Sequence, residues 1–370
     1  MRLRIATFNV ENLLSRNAYG PKARPQTGPA LSLFDFADPA MRAHIQAATA
    51  VALEDDERQA TALAIAETRA DILCLQEVDG LGVLAPFVAN YVHAVSDIRY
   101  GHMRLEPGND PRGIDVAFCA RKDLFPDETR VRARSWKDAT FADLGVHDPA
   151  LESMGIPEGC KVFNRDCLEV SLDFEEASLT LFICHLKSTG WGRRDTSPAL
   201  RRAEARAIRA IVERRFGDGW RDACWIIAGD LNASTHAVLP QGNIVAVSDS
   251  GIEPLLEDFA VDPALSLPAG ERWTYYHRET SEGRVVDERH VQLDVLLLSP
   301  ALAEANPAPR VEILRRGLPY RVPLDPADPD RSIGRLATRA DRYPRIGWDR
   351  PRASDHCPVV VEIDLPRAPR

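Results

Sequence analysis

The sequence predicts an α/β protein of the α+β kind, in which packed β-sheets are covered by helices. Short apolar runs of strand length, bounded by polar residues, recur along the whole chain. Some are joined by tight turns, as in hairpins, and others by segments of helical period. No repeat, heptad or low-complexity tract divides the sequence, so packed sheets are expected rather than separate domains. The 370 residues, 45% of them hydrophobic, can form one large core. We therefore expect a single domain over 1–370, with long insertions near 17–50, 132–160 and 317–353.

Leu3 to Asn9 alternates loosely and predicts a first strand, with Glu11 just beyond. Residues 17–50 are rich in Pro, Gly and Ala and predict a long insertion carrying at most a short helix. Glu54 to Thr68 predicts a helix, with acids at its start and Ala60, Leu63, Ala64 and Ile65 on one face. Asp71 to Glu77 predicts a buried strand ending on a carboxylate. Tyr91 to Val95 and Gly113 to Cys119 predict strands, and 132–160 an irregular insertion. Lys161 to Leu172 and Leu179 to Leu186 predict a hairpin whose second strand delivers His185. Ser197-Pro198 opens a helix that Gly217 stops. Cys224 to Ile227 predicts a core strand, with Gly229 turning the chain so that Asp230 and Asn232 fall just past it. Trp273 to Tyr276, Val291 to Leu298 and His356 to Ile363 predict the remaining strands.

Composition narrows the function. No apolar stretch is long enough to span a membrane. Met1 to Ala6 carries charge with no apolar run after it, so no signal peptide and a cytoplasmic location are expected. Seven cysteines without a C-x-x-C pair point to reduced core thiols rather than a disulfide framework or zinc site. The net charge of -9 argues against coating nucleic acid by charge alone.

Polar groups recur at the strand ends: Asn9, Glu77, His185, Asp230, Asn232, Asp294, Asp355 and His356. Each alone has a structural explanation. Together, acids and amides at the tips of separate core strands make sense if they converge on one site. The chemistry suits metal-assisted hydrolysis of a phosphate ester. Oxygen ligands, Glu77 with Asn9, favour magnesium or manganese. Asp230 would hold the attacking water. Asn232 and two histidines would meet charge on the phosphoryl oxygens. Asp294 could orient His356.

These residues lie in Thr7-Phe8-Asn9-Val10-Glu11, Gln76-Glu77, Gly113-Ile114-Asp115-Val116-Ala117, His185-Leu186-Lys187-Ser188, Gly229-Asp230-Leu231-Asn232, Leu293-Asp294 and Ser354-Asp355-His356. In order and nearly end to end, the set resembles the endonuclease/exonuclease/phosphatase superfamily, the DNase-like fold. The resemblance implies a four-layer sandwich of two packed mixed β-sheets flanked by helices. It implies metal ligands at Asn9 and Glu77, with Asp355 and Glu11 nearby. It implies Asp230 on the water, Asn232 beside the phosphate, His356 on a phosphoryl oxygen with Asp294 as its partner, and His185 on the phosphate. Abasic-site repair enzymes of the family carry tyrosine at the last position, which sets this chain apart from that branch. Val295 stands where the family often has an aromatic residue.

The expected activity is thus a magnesium- or manganese-dependent phosphodiesterase or nuclease-type hydrolase, with nucleic acid as one candidate substrate. The alternatives are an inositol- or lipid-phosphate phosphatase of the same fold and a binding protein that lost its chemistry. Glu11, Asp115, Lys187 and Arg345 are candidate substrate contacts. Arg193, Arg194, Arg201, Arg202, Arg339, Arg342, Arg350 and Arg352 are candidates, with Arg345, for a phosphate-binding rim. Gly80 to Ala85 fits a dinucleotide-binding G-x-G-x-x-A, but Pro86 follows at once, so a loop is expected there.

Overall fold

The computed structural model describes residues 1–13, 39–189, 197–327 and 341–367, with side chains from residue 54 in the helix Pro39–Thr68. The strands, in chain order, are β1 (Arg2–Leu13), β2 (Ile72–Val78), β3 (Tyr100–Leu105), β4 (Asp115–Arg121), β5 (Val131–Ser135), β6 (Cys167–Asp173), β7 (Ser178–His185), β8 (Trp225–Asp230), β9 (His236–Val238), β10 (Ile244–Ala246), β11 (Tyr275–Ser281), β12 (Arg284–Val291), β13 (Asp294–Leu298), β14 (Arg310–Ile313) and β15 (Val359–Asp364). One six-stranded sheet runs β14-β15-β1-β2-β4-β3 and a five-stranded sheet runs β13-β8-β7-β6-β5. A smaller sheet, β10-β9-β12-β11, lies apart from both in the pairing order.

Period-two alternation builds the layers. In the first sheet Ile5, Ile72, Cys74, Val116 and Phe118 join Val170, Leu181, Ile183, Ile226 and Leu296 of the second in one core cluster. Their neighbours face the other way. Ala6, Phe8, Leu73, Leu75 and Ala117 cluster with Ala60, Ala64 and Ile65 of the helix Pro39–Thr68. Phe182, Cys184, Ile227 and Leu297 cluster with Ala203, Ala207, Ile208 and Ile211 of the helix Ser197–Phe216. Helix, sheet, sheet, helix is the four-layer order that the resemblance implies.

Each large sheet holds one parallel pair, β1 with β2 and β7 with β8. Parallel neighbours end at the same edge. That rule places Asn9 opposite Gln76, and His185 opposite Asp230. The antiparallel partner β13 then starts where β8 stops, so Asp294 pairs with Asp230.

Several expectations are corrected. Tyr91 to Val95 is helical, within a π-turn Val88–Val92 and the turn His93–Val95. The buried Leu84, Phe87, Val88 and Val92 follow the helical spacing, which a five-residue window conceals. Gly80 to Ala85 is not a loop: a helix covers Leu81–Phe87, and the π-turn begins two residues after Pro86. The region 132–160 contains β5 and the short helices Phe141–Leu144 and Pro149–Ser153. The strand expected from Lys161 starts at Cys167. Residues 275–291 form a hairpin rather than two strand tips, its turn made by Glu282 and Gly283 at positive φ. The expected short helix near 41–50 and the helix from Glu54 are one, Pro39–Thr68. The rest of the 17–50 insertion, from 17 to 38, lies outside the described residues.

Candidate active site

The strand tips of both large sheets meet at one edge. The Asn9 amide nitrogen donates to Asp230 Oδ2 at 3.0 Å, which ties the first sheet to the second, and to Glu77 Oε1 at 3.3 Å. Glu77 is set by a bulge: the β2 register slips between Gln76 and Val78, and Glu77 takes φ 67°. Its Oε2 accepts from the Asn12 N–H at 3.0 Å. Glu11, Asn12 and Asn232 also sit at positive φ, so the same edge holds four non-glycine residues in the left-handed region.

His185 is buried at the end of β7. Its Nε2 lies 3.4 Å from Asp230 Oδ2 and 4.0 Å from Glu77 Oε1. Its Nδ1 is buried with no hydrogen-bond partner among the described residues. A bare acceptor costs less there than a bare N–H, so the proton belongs on Nε2, facing the carboxylates. Burial, then the charges of Arg165 and His356, hold this imidazole well below its ordinary pKa, and it is neutral.

His356 is its opposite. Nδ1 lies 2.8 Å from Asp294 Oδ2, and Nε2 lies 3.8 Å from Asp230 Oδ2. Burial opposes the charge, but Asp294 and Asp230 outweigh it and hold the ring well above its ordinary pKa. Asp294 is fixed by Thr274, whose hydroxyl donates to Oδ2 at 2.6 Å and accepts from the N–H groups of Leu293 and Asp294. Asp230 stands between the two rings. Burial raises its pKa, His356 pulls it back and Asp294 raises it again. A carboxylate with raised proton affinity, flanked by a neutral and a cationic imidazole, can take a proton while its neighbours donate.

A family model for the Endonuclease/Exonuclease/phosphatase family matches residues 6–356. The chain belongs to this family. Solved structures agree at the level of fold. A family protein from Leptotrichia buccalis C-1013-b aligns over 98% of this chain and 100% of its own, with 12% identity and a TM-score of 0.51. D. rerio TDP2, solved with a single-strand DNA product, aligns over 98% and 99%, with 15% identity and a TM-score of 0.50. The human Nocturnin catalytic domain, solved with a sulfate anion, aligns over 99% and 95%, with 15% identity and a TM-score of 0.50. No curated protein matches the sequence. Members of the family are hydrolases of phosphate esters and generally use divalent metals.

Against this endonuclease/exonuclease/phosphatase frame, the predicted residues divide. Asn9, Glu77, His185, Asp230, Asp294 and His356 come together. The Asn232 N–H caps Asp230 Oδ1 at 2.8 Å, and its amide donates to Leu186 O at 3.1 Å, its second N–H having no partner among the described residues. Asp355 raises the pKa of Glu77, second to burial, and lies 3.6 Å from Arg352. The Asn9 oxygen accepts from the Glu11 N–H at 3.0 Å, and its nitrogen faces the two carboxylates.

Three of the four candidate substrate contacts have other partners. Glu11 is held by Arg350 at 2.6 Å and by Arg352 at 2.7 Å. Asp115 accepts from the Gly108 N–H at 2.8 Å. Arg345 pairs with Asp56 at 2.6 Å, on the helix Pro39–Thr68. Lys187 lines a cavity with Asn164 and Glu204.

The expected arginine rim is also largely committed inward. Arg201 donates to Ser250 O and Lys187 O, and Arg342 to the carbonyls of Leu318, Pro319 and Val322. Arg202 pairs with Asp249. Arg193, Arg194 and Arg339 lie outside the described residues.

Two contributors escaped the sequence reading, and Ser354, named in the Ser-Asp-His element, was given no role in it. Thr274 orients Asp294. Ser354 joins Asn9 O, at 2.7 Å, to the His356 N–H, at 3.0 Å. The buried Arg165 donates to Leu186 O at 2.6 Å, and its charge acts on Asp230. The only sequence signal for Arg165 was its place in Asn164-Arg165-Asp166, directly before an apolar strand.

Among the described residues, Asp230, Asp294 and His356 have ligand atoms within 4.8 Å of one another. There His356 Nδ1 is already engaged by Asp294. Glu77 feels the charge of Asp355, second to its own burial, and carboxylate oxygens are the donors that suit a hard cation.

Proposed function

We propose that the protein is a divalent-metal-dependent phosphodiesterase of the nuclease type, hydrolysing a phosphate ester by in-line attack of water. The observation that carries this reading is Asp230 held between a neutral His185 and a cationic His356, with Glu77 tied to it through Asn9.

Glu77 and Asp355 are the residues to hold the ion. A bound magnesium or manganese supplies neutralisation of phosphate charge and stabilisation of the leaving oxygen. Asp230 accepts a proton from the attacking water as the water oxygen bonds to phosphorus. The bond from phosphorus to the leaving oxygen breaks, and that oxygen takes up a proton from solvent. His356 Nε2–H, His185 Nε2–H and the spare Asn232 N–H meet the charge on the phosphoryl oxygens. Asp294, fixed by Thr274, keeps the His356 ring aimed.

Hydrolysis of bis-p-nitrophenyl phosphate with magnesium or manganese, with and without chelator, tests the reading. Turnover is expected with the metal and not with the chelator. Asp230→Asn is expected to lower kcat by roughly 10²–10⁴-fold with unfolding unchanged or at higher temperature, because a buried charge is removed. Near-normal activity in that variant removes Asp230 from its role. No turnover on any phosphoester makes the protein a binding member of the family.

A further inference from the structure

The loop that leads into β4 brings a cation to the edge where the strand tips meet. Val78 pairs with Asp115, so the residues just before Asp115 lie beside those that follow Glu77. Gly113, at φ 71°, permits the close approach: a Cβ there would lie 2.7 Å from Asp79 Oδ1. Backbone groups pin the loop. The Gly108 N–H donates to Asp115 Oδ1 at 2.8 Å, the Asn109 N–H to Arg165 O at 3.0 Å and the Gly113 N–H to Asp110 O at 3.0 Å. Within this loop stands Arg112, its side chain 59% exposed.

Asp110 fixes that side chain as a fork. Arg112 Nε donates to Asp110 Oδ1 at 3.0 Å and Nη2 to Oδ2 at 2.8 Å. The other three N–H groups of the guanidinium have no hydrogen bond among the described residues. Asp110 is buried and lies 3.4 Å from Arg165 Nε. Arg165 in turn donates to Leu186 O at 2.6 Å, the carbonyl that also accepts from the Asn232 amide at 3.1 Å. Contacts thus run from Arg112 to the residue that caps Asp230, and the charge of Arg112 acts on both Glu77 and His185. This pair differs from its neighbours. Arg345 and Arg350 reach Asp56, Glu57 and Glu11, far off in the chain, and fasten segments together. Arg112 and Asp110 are two residues apart, so their bond joins nothing distant and only aims the guanidinium.

We propose that Arg112 is a substrate-binding residue of this site, its free N–H groups meeting an anionic oxygen of the substrate on the side of Glu77 and His185. The proposal rests on the phosphoesterase reading and adds a contact to it. An edge that gathers Glu77, Asp230 and Asp355 repels an approaching phosphate, and a cation held in place offsets that repulsion. A guanidinium already aimed by Asp110 loses less freedom on meeting its ligand than a loose side chain would. A pair this exposed adds little to folding, so removing it leaves a folded protein on which binding can be measured.

Calorimetric titration with inorganic phosphate in magnesium buffer tests it, beside turnover of bis-p-nitrophenyl phosphate. In Arg112→Ala the Kd for phosphate and the KM for the ester are each expected to rise about tenfold, with kcat within about threefold of the unaltered protein. Arg112→Lys, which keeps the charge but not the fork, should recover part of the loss. Arg132→Ala is the charge-matched control. Arg132 is 58% exposed and pairs at 2.5 Å with Asp173, at the end of β6 opposite the edge that carries His185. It should leave both constants unchanged. Unaltered phosphate affinity in Arg112→Ala overturns the proposal. So does an equal loss in Arg132→Ala, which would make the effect one of net charge. The two claims fail separately. Phosphate binding that weakens in Arg112→Ala, without phosphoester turnover by the unaltered protein, keeps the contact and removes the enzyme; turnover with constants indifferent to Arg112 does the reverse.

Discussion

Gly229 shows how a single residue sets the site. It has φ 143°, and a Cβ there would lie 1.9 Å from Cys184 O on the neighbouring parallel strand. No side chain fits without parting β7 from β8, the strands that carry His185 and Asp230. Gly229→Ala is expected to cost about 3–4 kcal/mol by overpacking and backbone strain, read as a lower midpoint in urea. Asp166 shows the cost of burying an acid. Burial, partly offset by hydrogen bonds such as that from the Trp136 N–H at 3.0 Å, pushes its carboxyl up to about 6. The folded protein therefore binds a proton that the unfolded chain, titrating near 4, releases. The stability this gives is fully present below about pH 4 and is lost as pH rises through about 6. Asp166→Asn should be more stable than the unaltered protein by about 1–3 kcal/mol above pH 6, and by nothing below pH 4. Parallel denaturant titrations at pH 4 and 7.5 measure the difference.

At the scale of elements, the segment before β15 is fastened to β1 by charge. Glu11 takes Arg350 and Arg352, and Arg350 reaches on to Glu57 of the helix Pro39–Thr68. Glu11 and Asp355 are thereby shared by the same arginine, Arg352. Glu11→Ala removes the nearest partner of Arg352, which is 8% exposed, leaving it the more distant Asp355 at 3.6 Å and Asp349 at 3.8 Å, and is expected to cost about 1–3 kcal/mol. It should also speed proteolysis in 341–353. Arg345→Ala breaks only an exposed pair, should cost less than about 0.5 kcal/mol, and serves as the control. The sequence made these acids and arginines visible but not their pairing. Glu11 and Arg350 are far apart in the chain, and an arginine before a catalytic motif reads equally as a rim or as a strut. The helix Leu81–Phe87 was hidden for a different reason. Gly and Pro at both its ends carry breaker signals, and only packing of Leu84, Phe87 and Val88 against the first sheet overrides them.

Across the whole molecule, net charge bears on the substrate. A net charge of -9 works against a nucleic-acid backbone, and among the described residues the rim arginines Arg345, Arg350 and Arg352 are paired with acids. Binding of a single-stranded oligonucleotide should therefore depend weakly on salt. A slope of log K against log salt smaller than about 2 in magnitude is expected, measured by anisotropy from 50 to 200 mM salt. A steep slope would mean that a cationic track does form. The sequence by itself determined the sheet-and-helix class and the polar strand tips, because strand period, apolar runs and the Gln-Glu, Gly-Asp-x-Asn and Ser-Asp-His elements are local. Only the tertiary structure decided that Asn9 turns its nitrogen to Glu77 and Asp230, that one histidine is neutral and the other charged, and that the arginines brace loops. Orientation, burial and charge pairing depend on neighbours brought in from distant parts of the chain, and no local pattern encodes them.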